Sequence, residues 1–247
     1  MRGTTMLDKY WHELYQKSQS VKLPEAAVAP VKINQVLTED ASVDSSQSNW
    51  LPSPAKGVKR LMLERDGGEQ TTRATSIVAY ARNSHFAAHN HPLGEEFLVL
   101  SGIFSDEHGD YPVGTYVRNP PGSSHAPKSV DGCMIWVKLQ QFQPGDRKNV
   151  VQLLSDNIKD HKPLHIGLTG QILFNDYEQV SYVRVSDKTT VTPPETIKGI
   201  ELLLLDGEAN INERKYKTGD WLRIAAGKAA ELTIAKGSRL LLKTGHL

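Results

Sequence analysis

The chain has 247 residues, 38% hydrophobic and 23% charged, with a formal net charge of +1. That length suits one large domain or two of about 100 to 125 residues, and a near-neutral balance argues against nucleic acid or an acidic membrane as partner. One cysteine, Cys133, excludes an intrachain disulfide and a Cys-rich zinc site; with no apolar signal core before Gln16 and no run of roughly 18 apolar residues, a cytoplasmic protein is expected.

Leu7, Tyr10, Trp11, Leu14 and Tyr15 fall at helical spacing and predict an N-terminal helix with one apolar face, docked on a barrel or a partner subunit; His12 lies on its surface. Residues 38–49 are polar and Ser-rich and read as a linker or exposed loop. Trp50-Leu51-Pro52-Ser53-Pro54 reads as an extended segment anchored by its indole. From Gly57 onward short apolar or alternating runs are separated by turn signals at Gly67-Gly68, Gly102, Gly109, Gly114, Gly122 and Gly132. A turn every 8 to 12 residues is the pattern of an all-β barrel or sandwich.

The second half repeats the first. At a shift of 105 residues, an ungapped match runs from Val78/Val183 to Phe142/Leu247, pairing the glycines 94/199, 102/207, 114/219, 122/227 and 132/237. Glu96/Glu201, Tyr111/Tyr216, Arg118/Arg223 and Lys138/Lys243 also coincide. Upstream, Gly57 and Asp66 meet Gly167 and Asp176 at a shift of 110, so the second copy has lost about five residues. Repeated turn glycines imply repeated backbone geometry. The expected layout is an N-terminal helix and linker over 1–45, one barrel over 46–149 and a second over 150–247.

The chemistry is concentrated between His89 and His125. His89 and His91 are two apart, the spacing that puts side chains on one face of a strand. Pro92-Leu93-Gly94 then turns the chain, and Glu95 opens the next strand with its carboxylate able to point back. Pro120-Pro121-Gly122 forms a second turn ahead of His125. Three imidazoles and one carboxylate suit Zn, Fe(II), Mn(II), Ni(II) or Cu(II). At the 105 shift the four positions become Pro194, Thr196, Ile200 and Ala230, while the glycines survive. The scaffold therefore does without these donors, and His89, His91, Glu95 and His125 are the candidate metal ligands of a first, metal-binding copy. Glu96, which recurs, reads as structural.

The run from Gly94 to Leu100, the segment Phe104–Pro112, the segment Gly114–His125 and Gly132-Cys133 resemble the cupin domain of ChrR-like proteins, as do Arg73-Ala74-Thr75-Ser76 and Trp50-x-Pro-x-Pro. Residues 46–247 are covered, most strongly 57–142. The resemblance implies a bicupin: two tandem jelly-roll barrels, the second degenerate, behind a short helix. It also implies one divalent ion on the three-His, one-Glu set, with Zn2+ first, Fe2+ next, and Mn2+ or Ni2+ as further choices. ChrR itself is an anti-sigma factor with a further zinc module built on His and Cys. This chain has no cysteine before Cys133, so that activity is not carried over. Asn83 and Ser129 depart from the general cupin motifs without touching a ligand.

Two functional classes follow. One is a metal-binding module linked to oxidative-stress response or small-molecule binding; the other is an Fe(II)-dependent dioxygenase cleaving a diketone-like chelator. Tyr80, Arg82, Phe97, Tyr116 and Trp136 lie on strands that could line the pocket. The expected partner is a small molecule or a protein, with no nucleic acid or membrane, and the N-terminal helix could serve a homodimer. Cys133 reads as a small buried residue, Asp106 and Glu107 as a solvated turn, and His85 and His108 as loop residues. His161, His165 and His246 have no constellation.

Overall fold

The structure is a computed structural model that describes residues 7–23, 32–67 and 73–247. The described residues form short antiparallel strands, one α-helix at Leu7–Ser20 and a 3-10 turn at Ile158–Asp160. No helix among them is long and apolar enough to cross a membrane. The helix buries Trp11, Leu14 and Tyr15 against the strands Glu95–Asp106 and Cys133–Leu139, leaving His12 exposed. A Cβ on Gly132 would stand 1.9 Å from the Tyr15 hydroxyl, so this seat requires glycine. Lys59 closes the helix: its Nζ donates to the carbonyls of Ser18 (2.6 Å), Gln19 (3.3 Å) and Val21 (3.0 Å). Such carbonyls lack partners at a helix end.

Contacts divide the chain into two units, Met1–Gln35 with Ser48–Leu153, and Val36–Gln47 with Leu154–Leu247. In the first unit the main sheet runs, in spatial order, Val150–Leu153, Thr115–Asn119, Glu95–Asp106, Cys133–Leu139, Arg73–Tyr80, Val58–Asp66 and Leu51–Pro52. Trp50, ahead of the last of these, is buried as its indole predicts. Strand alternation sends Val58, Val78, Tyr80, Phe97, Val99, Val117, Cys133, Ile135 and Val137 into one apolar core with Phe104 and Tyr111.

The second unit reproduces this register. Glu96 faces Arg118 and Lys138 across its two neighbouring strands, and Glu201 faces Arg223 and Lys243. Bulges at Met62/Glu64 and Ile172/Phe174 coincide at the 110 shift. The five residues that the second copy lacks fall, in sequence, between Asp66 and Arg73, where the second unit has Tyr177. The repeated glycines have a shared job: Gly94 (φ +77°) leaves room for the Phe142 ring and Gly199 (φ +77°) for Leu247, each 2.3 Å from where a Cβ would sit.

The recurring polar residues are buried and structural. Tyr116 donates to Glu96 at 2.6 Å, and Trp221 Nε1 to Glu201 at 2.8 Å. Arg118 stacks 3.7 Å over Phe142 and donates to Asp146 at 2.8 Å. Arg223 instead donates to the carbonyls of Val36 (2.7 Å) and Glu39 (3.2 Å).

That last contact marks where the structure departs from the expected layout. The Ser-rich stretch read as a linker contains a strand, Ala41–Asp44, which pairs with Asp220–Ile224 in the second unit. It occupies there the place that Val150–Leu153 occupies beside Thr115–Asn119 in the first. The contacts therefore divide after Gln35, Gln47 and Leu153 rather than near 45 and 149. A half-buried edge strand needs little hydrophobicity, so its composition resembles a loop.

Candidate metal centre

Two short strands carry two of the candidate ligands, His89 and His125. His89–Asn90 pairs with Ser124–His125, which sets His89 directly opposite His125. His91 lies just beyond the first strand rather than on it. Its backbone N–H bonds the Ser123 carbonyl at 2.9 Å, and its carbonyl accepts from Gly122 N at 2.9 Å and from Gly94 N at 3.3 Å. The Pro-Pro-Gly turn is closed by Ser123 N to the Pro120 carbonyl at 3.0 Å. Glu95 opens the long strand Glu95–Asp106, as expected.

One donor atom from each of His89, His91, Glu95 and His125 lies within 4.8 Å of all the others. The ring centroids are 5.1, 5.1 and 4.7 Å apart. Glu95 Oε2 stands 3.5 Å from His91 Nε2 and 3.3 Å from His125 Nε2. His91, Glu95 and His125 are buried, and His89 is the most exposed of the four.

The other ring nitrogens are engaged elsewhere. His89 Nδ1 lies 2.9 Å from the Ala87 carbonyl and His125 Nδ1 3.1 Å from Asp106 Oδ2. Both partners only accept, so both rings carry the proton on Nδ1 and turn an Nε2 lone pair inward. His91 Nδ1 is 3.0 Å from the Ser123 hydroxyl, and Asn119 donates to Glu95 Oε2 at 3.2 Å. The Nε2 atoms of His91 and His125 are buried without a hydrogen-bond partner. Leaving a buried polar atom so costs roughly 1–3 kcal/mol. A cation at their focus would satisfy both nitrogens and the carboxylate, so the donor set fits a divalent ion.

The electrostatics split the imidazoles. Burial pulls His91 below its ordinary value, with the neighbouring rings adding to it against the pull of Glu95. Burial works the same way on His125, but the Asp106 bond and the Glu95 charge outweigh it and the net shift is upward. Burial would raise Asp106; the bonds from His125, His108 N and Tyr111 overcome that and lower it.

Asp106 is the residue of the candidate site that reading the sequence as a solvated turn misses. It is buried, holds His125, and accepts from His108 N (2.8 Å), Gly109 N (3.2 Å) and the Tyr111 hydroxyl (3.1 Å). The internal repeat carried a signal: Asp106 maps to Ile211, so it disappears along with the ligands. Glu107 is exposed, as expected, and so are the His85 and His108 rings. Ile200 and Ala230 sit in the second unit's apolar core, which fills the space that donors occupy in the first.

A cavity of about 400 Å³ opens beside the cluster. His89 and Glu95 form part of its wall, with Val78, Tyr80, Phe86, Ile135, Val137 and Leu139. Of the five pocket residues suggested by the sequence, Tyr80 lines it. Phe97 points inward but packs below, 4.6 Å from Phe104 and 5.8 Å from Tyr111. Tyr116 and Trp136 are corrected to the opposite face: both register with Leu98, one residue out of phase with Glu95 and Phe97. Arg82 is also corrected; it lies in solvent, paired with Asp131 at 2.8 Å. Cys133 is a free, buried thiol pushed by burial to about 12. His246 has a partner, Glu201 at 3.0 Å, within the second unit.

The fold and the cluster together define a bicupin with one candidate metal site. Residues 38–143 match the family described as the ChrR cupin-like domain. Comparison with curated protein sequences finds no match. Among solved structures the chain is similar to YlbA from E. coli, with TM-score 0.64 and 13% identity over 85% of this chain and 92% of that one. It is similar to the pirin YhhW from E. coli in complex with nickel(II), with TM-score 0.58 and 12% identity over 83% and 98%. A third likeness is to HutD from Pseudomonas fluorescens, with TM-score 0.54 and 10% identity over 85% and 100%. At these identities the likeness concerns the fold.

Proposed function

We propose that His89, His91, Glu95 and His125 hold one divalent metal ion and that the first barrel binds a small oxygen-donor molecule against it. The observation that carries this reading is the cavity meeting the cluster at His89 and Glu95. A closed four-coordinate zinc would need no such opening, whereas a six-coordinate ion with four protein donors keeps two positions for an exogenous ligand. The nickel bound by the pirin relative is consistent with this fold holding such ions. When bound, the ion would supply a Lewis acid for the ligand's oxygens. The chain's own residues supply the rest. Apolar walls exclude water, and Tyr80, whose phenol burial holds well above its ordinary value, stays neutral and able to donate a hydrogen bond.

The enzymatic form of this reading is an Fe(II) dioxygenase acting on a diketone-like chelator. The regulatory form is a zinc-filled stress sensor of the kind the ChrR resemblance suggests. Metal content and coordination number of protein purified without added metal separate them. The Fe(II)-loaded protein is then tested for O2 uptake with pentane-2,4-dione and related chelators. No turnover with any metal sinks the enzymatic form; failure to retain any divalent ion sinks the metal reading itself.

A further inference from the structure

The walls of the cavity carry a charge pattern that a metal site alone does not require. Strand register sets the inward residues in rows. One row runs from the ligand Glu95 through Leu139 and Ala74 to Arg65. A second runs from Val99 through Ile135 and Val78 to Arg60. Arg65 is therefore three strand spacings from Glu95, roughly 14 Å along the sheet. Both arginines line the cavity, together with Ser53 and Ser76. Each is anchored: Arg60 donates to the Pro52 carbonyl and Arg65 to that of Gly67, both at 3.1 Å. Arg65 is only 3% exposed. Among the described lining residues these two are the cations, and the one carboxylate is the ligand Glu95.

The second unit again serves as the control. At the 110 shift Arg60 and Arg65 become Gly170 and Asn175. A Cβ on Gly170 would lie 2.6 Å from the Tyr182 carbonyl, so no arginine fits there. The copy without the four donors is also the copy without the two guanidinium groups. The fold does not need them, and in the first copy they face the same cavity as the cluster.

We infer that this cavity takes an anion: a small carboxylate with an apolar body, its carboxylate on Arg60 and Arg65 and its oxygen donors at the cluster. The planar guanidinium fork matches a carboxylate in two-point contact. Val78, Ile135, Val137 and Leu139 clothe the body between the two ends. The inference rests on the metal reading above for the oxygen-donor end, and on the arginines alone for the carboxylate end.

The test uses the full chain, zinc-loaded and, in parallel, stripped with a chelator. Calorimetry compares 4,6-dioxoheptanoate and 3,4-dihydroxybenzoate with their methyl esters. Each acid is expected to bind at least tenfold tighter than its ester. Arg60→Gln/Arg65→Gln should bind acid and ester alike while retaining the parent's zinc content. An acid bound no tighter than its ester by the parent overturns the inference, as does a double variant that keeps the preference. Should the double variant not fold, the acid–ester comparison in the parent decides without it. A chain that takes up no metal but still prefers the acids would refute the metal reading and leave the arginine site standing.

Discussion

Replacing Asp106 should loosen the metal without touching a ligand. Its carboxylate lies 3.1 Å from His125 Nδ1 and is itself fixed by three further donors, so it sets both the tautomer and the tilt of the ring. Removing such a partner typically costs 10- to 100-fold in metal affinity, about 1.4 to 2.7 kcal/mol. Asp106→Asn keeps an acceptor oxygen and the shape but loses the charge, so a loss near tenfold is expected; Asp106→Ala should approach a hundredfold. Competition with a chromophoric chelator at pH 8 measures both. The pH profile gives a second, independent sign. In the folded chain His125 titrates above its ordinary value of 6.5, so protons compete with the metal at a higher pH than usual. Without the Asp106 charge that value falls, so the break in a plot of log affinity against pH, where protons begin to displace the metal, should move to lower pH even as the plateau affinity at pH 8 declines. Unchanged affinity in both variants, or a break that stays or rises, refutes the argument.

His91→Ala and His125→Ala should abolish metal retention, read by elemental analysis. His246→Ala should leave retention intact while losing about 1–3 kcal/mol in denaturant unfolding, because it removes one of the partners of the buried Glu201 carboxylate, the one on Oε2. Gly94→Ala and Gly199→Ala each force a side chain into positive φ and against Phe142 or Leu247, and should each cost about 3 kcal/mol by the same measure. In the metal-free protein, the upward shift of His125 means its pairing stabilises fully below pH 6.5 and fades as pH rises through the folded value. Thermal unfolding against pH in parent and Asp106→Asn checks that slope.

The repeat made much of this legible. Glycines at fixed spacing reported turns, and the positions that changed between copies separated ligands from scaffold. That separation placed Glu95 at the cluster and Glu96 in the opposite face's polar network, as the register shows. Asp106 was hidden because Asp-Glu-His-Gly has the composition of an exposed turn; only its apolar counterpart Ile211 betrays it. Tyr116 and Trp136 went to the wrong face because strand membership says nothing of parity until the register with Leu98 is known. Arg60 and Arg65 were passed over for a related reason. A bulge at Met62/Glu64 separates them, so a simple count of two does not put both on one side. Ala41–Asp44 could not be assigned from local pattern, since its partner lies at Asp220–Ile224.

That partnership has a consequence for how the chain is made. Residues 36–47 leave the ribosome before the first barrel does, yet Asp44 pairs with Asp220, 176 residues later (220 − 44). At about 5–20 residues per second the segment waits roughly 10 to 35 s for its strand, while the first barrel can close as soon as Leu153 is out. An apolar strand held unpaired for that time would invite aggregation. The serines and aspartates that make 38–49 look like a tether are what keep a strand soluble until its neighbour is synthesised.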